Sequence, residues 1–432
     1  MVPIAPFAIF GLVYQTSGGM PVLAYLVGMV AMLFTAASYA QMVKAFPLSG
    51  SVYTYAGRGI APPVGFMTGW AILLDYLLVP SLLYLVASIA MHNSVPGVPV
   101  WGWLLIFVAI NTLINLRGIR MTITLTKVLI TGELIVLGLF VLAGVWALLQ
   151  GEGHGFSLSP LFDSDTFSWP LIFGAVSIAV LSFLGFDGIS MLVEESTGGS
   201  AQVGRAMRLA LILAGLLFIV QVWVAALVMP DPAGVLAHGS DTAFYDSAEV
   251  VGGEWLRHLT STATAISWGI ADTLVAQVAC SRLLYAMARD RQLPSFLAKV
   301  SVRHSVPTNA ILFVSALSIG LGVWMSAQED GVNLLSSLVN MGGLIAFIVL
   351  HLSVIVHYMV RRRSSNVWSH LVAPLIGMAI LIFVIVNANI LAQRVGLIWL
   401  GVGVVVLAAL YLLGRRPTLG GEKADLVGSR SP

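Results

Sequence analysis

The sequence predicts an all-α membrane protein that crosses the bilayer many times. Of its 432 residues, 58% are hydrophobic and 9% are charged, whereas about 25% of the residues in a soluble domain are charged. Apolar runs of about 20 residues, enough to cross a hydrocarbon core of about 30 Å, recur along almost the whole chain. These two observations exclude a soluble protein with a separate globular domain.

The apolar runs predict the spans in chain order. Residues 1–19 form only a half span, and they lack the basic leader and small-residue cleavage site of a signal peptide. A polar, aromatic re-entry is expected at residues 47–55, and residues 1–414 are expected to form one transmembrane domain followed by a disordered tail at 415–432. Complete spans are predicted at about residues 21–43, 64–90, 100–116, 121–149, 169–193, 205–229, 255–288, 307–326, 334–360, 372–391 and 395–413.

Basic residues predict the orientation of the chain. Most of them fall on alternate loops, and Lys and Arg in short loops mark the cytoplasmic side. The C-terminus is therefore expected in the cytoplasm, and the acidic loop at residues 231–254 outside. The negative charge of this loop could concentrate cations near the outer surface. Alternatively, the acids have no function of their own, and the loop is acidic only because Lys and Arg are avoided on the outer side. The basic set is Lys44, Arg58, Arg117, Arg120, Arg205, Arg208, Arg289, Arg291, Lys299, Arg303, Arg361, Arg362 and Arg363.

One span is interrupted by a polar, glycine-containing stretch. Residues 182–188 read SFLGFDG, and apolar runs flank the stretch on both sides. An unwound backbone inside a bilayer needs protein, water or a ligand to satisfy its N–H and C=O groups. The interruption therefore predicts a binding site, with Asp187 at the break. A packed glycine kink is the alternative.

Ionisable residues near the middle of predicted spans are the other candidates for function. Each costs at least ~2.5–3.5 kcal/mol at the centre of a bilayer helix. Acids at one depth fit a cationic substrate or a transported proton, but each acid could instead be bonded to a neighbouring hydroxyl, as Asp75 could be to Tyr76. A lysine near a helix end could also extend to the membrane surface. The candidates are Asp75, Lys127, Glu133, Asp187 and Asp272.

Several function classes have no support in the sequence. It contains no phosphate-binding loop, no nucleophile–base set and no metal-ligand spacing, so we expect neither an enzyme nor a cofactor, metal or nucleic-acid partner. The single cysteine, Cys280, excludes an intramolecular disulfide. Histidines such as His351 occur singly and are interpreted as packed or interfacial residues.

Four stretches of the chain resemble the amino acid–polyamine–organocation permeases. They are YAQMVKAFPLSGSVYTY at 39–55, GFMTGWAILLDY at 65–76, SFLGFDGISMLVEE at 182–195 followed by RAM at 205–207, and SRLLYAMARD at 281–290 followed by LP at 293–294. Within that family the sequence is most similar to bacterial putrescine importers, which share the LLDY and FSFLGFD-type runs.

The resemblance implies a LeuT-like fold and a place for the substrate. It implies five-plus-five inverted repeats, about residues 1–150 and 160–360, with two extra helices at about 368–414. The substrate would lie between broken spans one and six, and Lys127 resembles a coupling lysine of some proton-coupled members. The implied substrate-binding residues are Ile4, Ala5, Asp75, Ser182, Phe183, Gly185, Phe186, Asp187 and Asp272.

These observations predict a proton-coupled secondary importer in the cytoplasmic membrane. A polyamine such as putrescine is the first substrate hypothesis, and a neutral or cationic amino acid is the second. Family members begin with an apolar half helix and a glycine-rich break before the part matched by residues 1–19. A misplaced start codon or a true loss of that half helix would explain the difference. A non-transporting sensor or a truncated fragment is therefore the alternative from another class.

Overall fold

The computed structural model describes residues 2–48, 51–196, 198–238, 240–289, 292–301, 306–328 and 331–414. Every regular element within these ranges is helical. The tail predicted at 415–432 lies outside the described residues. The α-helices are α1 (Phe10–Thr16), α2 (Pro21–Ala45), α3 (Ser51–Gly59), α4 (Pro62–Ser94), α5 (Val100–Leu116), α6 (Ile119–Leu149), α7 (Trp169–Phe183), α8 (Gly199–Val228), α9 (Pro232–His238), α10 (Ala243–Gly252), α11 (Glu254–Ile266), α12 (Thr273–Arg289), α13 (Thr308–Ser326), α14 (Gly331–Val354), α15 (Ala373–Asn387) and α16 (Ile390–Leu412).

Non-α helical turns connect or interrupt these helices. Turns of 3₁₀ geometry occupy Ala5–Ala8, Asp187–Glu195 and Ser295–Ala298. Wider turns of π geometry occupy Ser267–Asp272, Ile355–Arg361 and Trp368–Val372. Because π turns are rare and occur often at functional sites, the turn Ser267–Asp272, between α11 and α12, is of particular interest; we call it the π turn.

The helices confirm a protein that passes repeatedly through a membrane. Within the described ranges, nine helices are long and apolar enough to cross a bilayer, and two further apolar helices, Val100–Leu116 and Trp169–Phe183, are shorter. The second of these, α7, is short because the predicted span at 169–193 is broken. The inverted repeat remains a prediction.

The helix α4 lies at the centre of the bundle. It packs against α3, α5, α11, α12, α13, α14 and α16, and it is the most buried of the long apolar helices in the described ranges. By contrast, α16 exposes most of its surface, as expected for a helix that faces lipid. The central position of α4 explains why Asp75, in the middle of this helix, is enclosed by protein.

The beginning of the chain is packed inside the bundle. The Pro3 carbonyl accepts a hydrogen bond of 3.0 Å from the Gln221 side chain of α8. The Phe7 ring stacks on Phe244 of α10 with centroids 3.8 Å apart, and Ile4 is fully buried. Apolar packing and one hydrogen bond to α8 therefore hold this short segment in place.

Two connecting segments contain more helix than the sequence suggested. The acidic segment at 231–254, expected to be a loop, includes the short helices α9 and α10. Phe244 anchors α10 because its ring packs on Phe7 and on Phe140 of α6. The re-entry predicted at 47–55 contains the start of α3, and α3 packs on α4. Tertiary packing stabilises these short helices, which would be marginal alone.

Two tryptophans join α4 to the last helix. The Trp70 indole N–H donates to the Trp399 carbonyl at 2.8 Å, and the Trp399 indole N–H donates to the Trp70 carbonyl at 2.7 Å. Their rings stack with centroids 4.7 Å apart. We call this arrangement the tryptophan pair; it fixes α16 to the centre of the bundle.

Candidate functional site

The predicted break in the span at 169–193 is present in the structure. The helix α7 ends at Phe183, and a 3₁₀ turn begins at Asp187. Between them Gly185 has φ +95°, a backbone conformation that side-chain-bearing residues rarely adopt. The glycine therefore lets the chain leave α7 and present Asp187 to the interior of the bundle.

Asp187 is buried and has hydrogen-bond donors around it. Its side chain is 2% exposed, and Oδ2 accepts a hydrogen bond of 2.5 Å from the Tyr76 hydroxyl on α4. The backbone N–H groups of Asp187 and Gly188 also lie against this carboxylate. The sequence suggested Tyr76 as a partner for its neighbour Asp75, but the tyrosine reaches Asp187 instead.

Asp75 lies in the same buried region. It is 3% exposed, and its carboxylate is close enough to Asp187 for the two charges to repel each other. Gly343 of α14 gives the carboxylate room, because a Cβ at this glycine would stand 3.2 Å from Asp75 Oδ2. Among the described residues, Asp75 Oδ1 has no hydrogen-bond partner. We call Asp75 and Asp187 the central acid pair.

An aromatic cluster lies next to Asp187. Phe186 lies beside Asp187 in the chain, and its ring contacts the rings of Tyr39 and Phe347 with centroids 5.8 and 5.7 Å away. Tyr39 and Phe347 contact each other at 5.9 Å. An ammonium group binds favourably to the faces of such rings, so the cluster adds to the attraction that the acids exert on a cation.

Two other predicted residues at the break pack away from the acids, against α2 and α8. The Ser182 hydroxyl forms a hydrogen bond of 3.0 Å with Tyr25. The Phe183 ring packs on Phe218 with centroids 5.1 Å apart. Ile4 and Ala5, predicted from the expected path of the first span, are buried beside and within the turn Ala5–Ala8.

The remaining charged candidates form a second group. Asp272, at the end of the π turn, faces Glu133 of α6 closely enough for their charges to interact. Glu133 is 5% exposed, and Ser267 of the π turn is its polar neighbour. Lys127 is exposed on the same helix. The structure thus brings Asp75 and Asp187 together, places Asp272 beside Glu133, and leaves Lys127 on the outer surface.

A family model described as amino acid permease matches residues 4–414. The chain belongs to this permease family. It is 32% identical to the low-affinity putrescine importer PlaP of Escherichia coli K12, over 96% of this chain and 92% of PlaP. It is 25% identical to the branched-chain amino acid permease BcaP of Bacillus subtilis, over 93% and 87% of the two chains. It is also 24% identical to the methylthioribose transporter of Bacillus subtilis, over 96% and 90%.

Membership of the permease family explains the broad features of the site. The protein is a membrane transporter rather than an enzyme, and its family and relatives indicate an amino acid or polyamine substrate. A transporter must enclose its substrate in the membrane and release it again. A buried, charged cluster beside a helix break is a suitable place to do so, because the break supplies free backbone groups.

The candidate site also contains Tyr39 and Phe347, which the sequence did not single out, and Tyr76, which the sequence suggested as a partner of Asp75 and not of Asp187. Tyr76 contributes a hydroxyl, and Tyr39 and Phe347 contribute aromatic faces. Tyr39 and Tyr76 lie within the stretches that resemble the family, which was the available signal. Phe347 lies within an apolar span with no such signal. Its place in the candidate site follows only from its contact with Phe186.

Proposed function

We propose that this permease imports a small diamine such as putrescine across the cytoplasmic membrane, driven by protons. The observation that carries the proposal is the central acid pair. A diamine brings two ammonium groups into a dry site, and each needs an anionic or carbonyl partner because an unpaired buried charge is very costly. Asp75 and Asp187 provide two carboxylates in one buried region.

The aromatic cluster supports the same substrate class. The chain of a diamine is apolar between its charged ends, so it suits a site with acids and aromatic rings. The Phe186, Tyr39 and Phe347 rings supply apolar surface and cation–π attraction. The similarity to the putrescine importer PlaP points in the same direction.

An amino acid is the second candidate, and the similarity to BcaP favours it. Its carboxylate needs N–H donors, which a helix break can supply. In this permease, however, the Asp187 carboxylate lies against the N–H groups of residues 187 and 188. A substrate carboxylate would meet a negative charge at that point, so the break favours an amine over an amino acid.

Competition for uptake tests the choice of substrate. The protein is reconstituted into liposomes, and uptake of labelled putrescine is measured with spermidine, lysine or leucine as competitor. We expect spermidine to compete and leucine to have no effect. Competition by leucine and not by spermidine, with Asp75→Asn still active, would establish the amino acid alternative. Failure to exchange any of these compounds would support a sensor or an inactive fragment.

Proton coupling is a further part of the proposal, with Lys127 as its predicted residue. A lysine that exchanges its proton as it is desolvated and hydrated can follow a transport cycle. Lys127 is exposed on the outer face of α6.

An inward proton gradient without sodium should drive uptake. Strict dependence on sodium would contradict proton coupling. Normal gradient-driven uptake by Lys127→Met would contradict the role of Lys127.

The proposed direction of import requires the orientation predicted from the basic loops. In that orientation the segment containing α9 and α10 faces outward. Arg257 contacts both Asp246, at 3.2 Å, and Glu249, so part of the negative charge on this side is neutralised. In intact cells, Ser240→Cys in a Cys280→Ala background should react with an impermeant thiol reagent. Labelling only after permeabilisation would reverse the assignment.

A further inference from the structure

Glu133 occupies a position on α6 that otherwise belongs to apolar residues. It lies near the middle of the helix and shares its buried face with Val136, Leu137 and Phe140. Glu133 itself is 5% exposed. In the part of the chain that the structure describes, neither of its carboxylate oxygens has a hydrogen-bond partner. This is unusual for a buried acid, because buried polar side chains nearly always find partners.

The π turn faces Glu133 from the neighbouring helix pair. Ser267 and Asp272, at its two ends, are the polar groups next to the carboxylate. The turn is held in place from behind, since the Asn111 side chain of α5 donates to the Gly269 carbonyl at 2.7 Å. A Cβ at Gly269 would meet Ala87 at 2.9 Å. The fold therefore fixes Ser267 and Asp272 in position opposite Glu133.

The surroundings of Glu133 disfavour its charged form. An ionised carboxylate is expensive to bury when few hydrogen-bond donors surround it, and a nearby acid adds repulsion. The donor next to Glu133 is the Ser267 hydroxyl. Asp272 is the ionisable group that faces it among the described residues. Arg257 is paired with acids at the start of α11. The ionisable residues on the helices packed against α6 are Arg205, Arg208, Tyr245, Asp246, Glu249, Glu254, Arg257 and His258.

We propose that Glu133, with Ser267 and Asp272, forms a proton-binding site separate from the central acid pair, and that Glu133 carries the proton in this conformation. Among the described residues, no group of three or more His, Cys, Asp or Glu side chains is placed to hold a metal ion. A proton needs a single carboxylate oxygen. Glu133 is neutral when it carries the proton, so it does not repel the neighbouring acid Asp272.

The site has a direct use in transport, and this step rests on the proposed proton-coupled function. Glu133 lies on α6, whereas Ser267 and Asp272 lie in the π turn. If transport separates these elements and admits water, protonated Glu133 can release its proton to that water and become a carboxylate. Closing the gap again requires Glu133 to regain a proton. The packing of α6 on the π turn thus couples proton movement to conformation.

Infrared spectroscopy tests the proton directly and without a substrate. The full-length protein in lipid at neutral pH should show the C=O stretch of a protonated carboxylic acid, shifted in D₂O. Glu133→Gln should lose this contribution, while Glu254→Gln, the same change at an exposed glutamate, should keep it. Asp75→Asn identifies any contribution from the central acid pair. An unchanged band in Glu133→Gln would overturn the proposal.

A second variant covers the case in which Glu133→Gln does not fold. Glu133→Asp keeps the acid on a shorter side chain, so its band should move to a different frequency. A band identical to that of the wild type would count against the site. Because these spectra need no substrate, they decide the proton site even if the wild-type protein transports neither amines nor amino acids, which would refute only the proposed function.

Transport measurements then test coupling, with labelled putrescine as the probe. Glu133→Gln should lose accumulation driven by an inward proton gradient and keep exchange across liposomes at equal pH. Glu254→Gln should retain both activities. Gradient-driven accumulation at the wild-type level in Glu133→Gln would overturn the coupling role of this site.

Discussion

The central acid pair and the Glu133–Asp272 pair both lie within the bundle, yet their surroundings differ. Asp75, Asp187 and Glu133 are buried, and Asp272 is half-buried. Asp187 accepts a hydrogen bond from Tyr76 and lies against backbone N–H groups. Glu133 has no hydrogen-bond partner among the described residues, and its polar neighbour Ser267 has none either. The first pair is built around a carboxylate with a tyrosine hydroxyl and backbone N–H groups beside it, and the second around a carboxylate with the Ser267 hydroxyl beside it.

This difference shows how one protein can give similar side chains different roles. Donors stabilise the charged form of an acid, and a buried acid with few donors favours the neutral form. A cationic substrate needs a charged partner, so the region around Asp187 suits substrate binding. Proton storage needs an acid that becomes neutral when enclosed, and Glu133 meets that requirement.

The largest effect on transport is expected when the charge at Asp187 is removed. Asp187→Asn should weaken uptake of labelled putrescine by a hundredfold or more, since losing one partner of a buried charge pair costs ~3–5 kcal/mol. The control is Glu254→Gln, which removes a charge from an exposed residue and should transport normally. Equal uptake by both variants would show that Asp187 does not bind the substrate.

A smaller loss of putrescine uptake is expected when Asp187 keeps its charge but loses a hydrogen-bond donor. Tyr76→Phe removes the hydroxyl that donates to Asp187 and preserves the ring. A hydrogen bond to a charged group contributes about 1.5–3 kcal/mol, so the putrescine concentration for half-maximal uptake should rise by about tenfold or more. Tyr14→Phe, at a half-buried tyrosine of α1, is the control. A half-maximal concentration equal to that of the wild type in Tyr76→Phe would show that the hydrogen bond to Asp187 does not contribute to substrate binding.

Stability should respond in opposite directions at the two pairs. Glu133→Met removes a buried carboxyl group without partners, and such a group costs about 1–3 kcal/mol. Its thermal unfolding midpoint should therefore rise, whereas Asp187→Met should lower the midpoint because it leaves Tyr76 without its acceptor. Unfolding of the purified variants in detergent measures both. Leu134→Met, at the exposed neighbour of Glu133, is the control for introducing a methionine on α6. A lower unfolding midpoint for Glu133→Met than for the wild type would contradict the prediction.

The smallest effect is expected at the tryptophan pair, and it tests whether the other effects are local. Trp399→Phe removes one indole hydrogen bond to α4, the helix that also carries Asp75 and Tyr76. The loss should cost about 1 kcal/mol of stability and leave putrescine uptake unchanged. A large loss of uptake would show that transport depends on the packing of α4 in general rather than on its acid.

Helix positions could be predicted from the sequence because they depend on composition along the chain. Apolar length identified the spans, and the glycine and polar residues at 182–188 identified the break that Gly185 forms. The same reasoning singled out Asp75, Asp187 and Glu133, which the structure buries in the bundle, and Asp272, which lies beside Glu133. The short helices α9 and α10 were missed because contacts such as Phe244 with Phe7, distant in sequence, stabilise them.

The sequence by itself determined that this protein is a helical membrane transporter with acids within its spans and one span broken at residues 182–188. Only the tertiary structure decided which groups meet: Tyr76 lies against Asp187, and Asp272 lies beside Glu133. Lys127, in contrast, is exposed on α6. The physical reason is that a helix apolar on all sides has no polar face to fix its rotation. Its side chains acquire partners only when neighbouring helices pack against it.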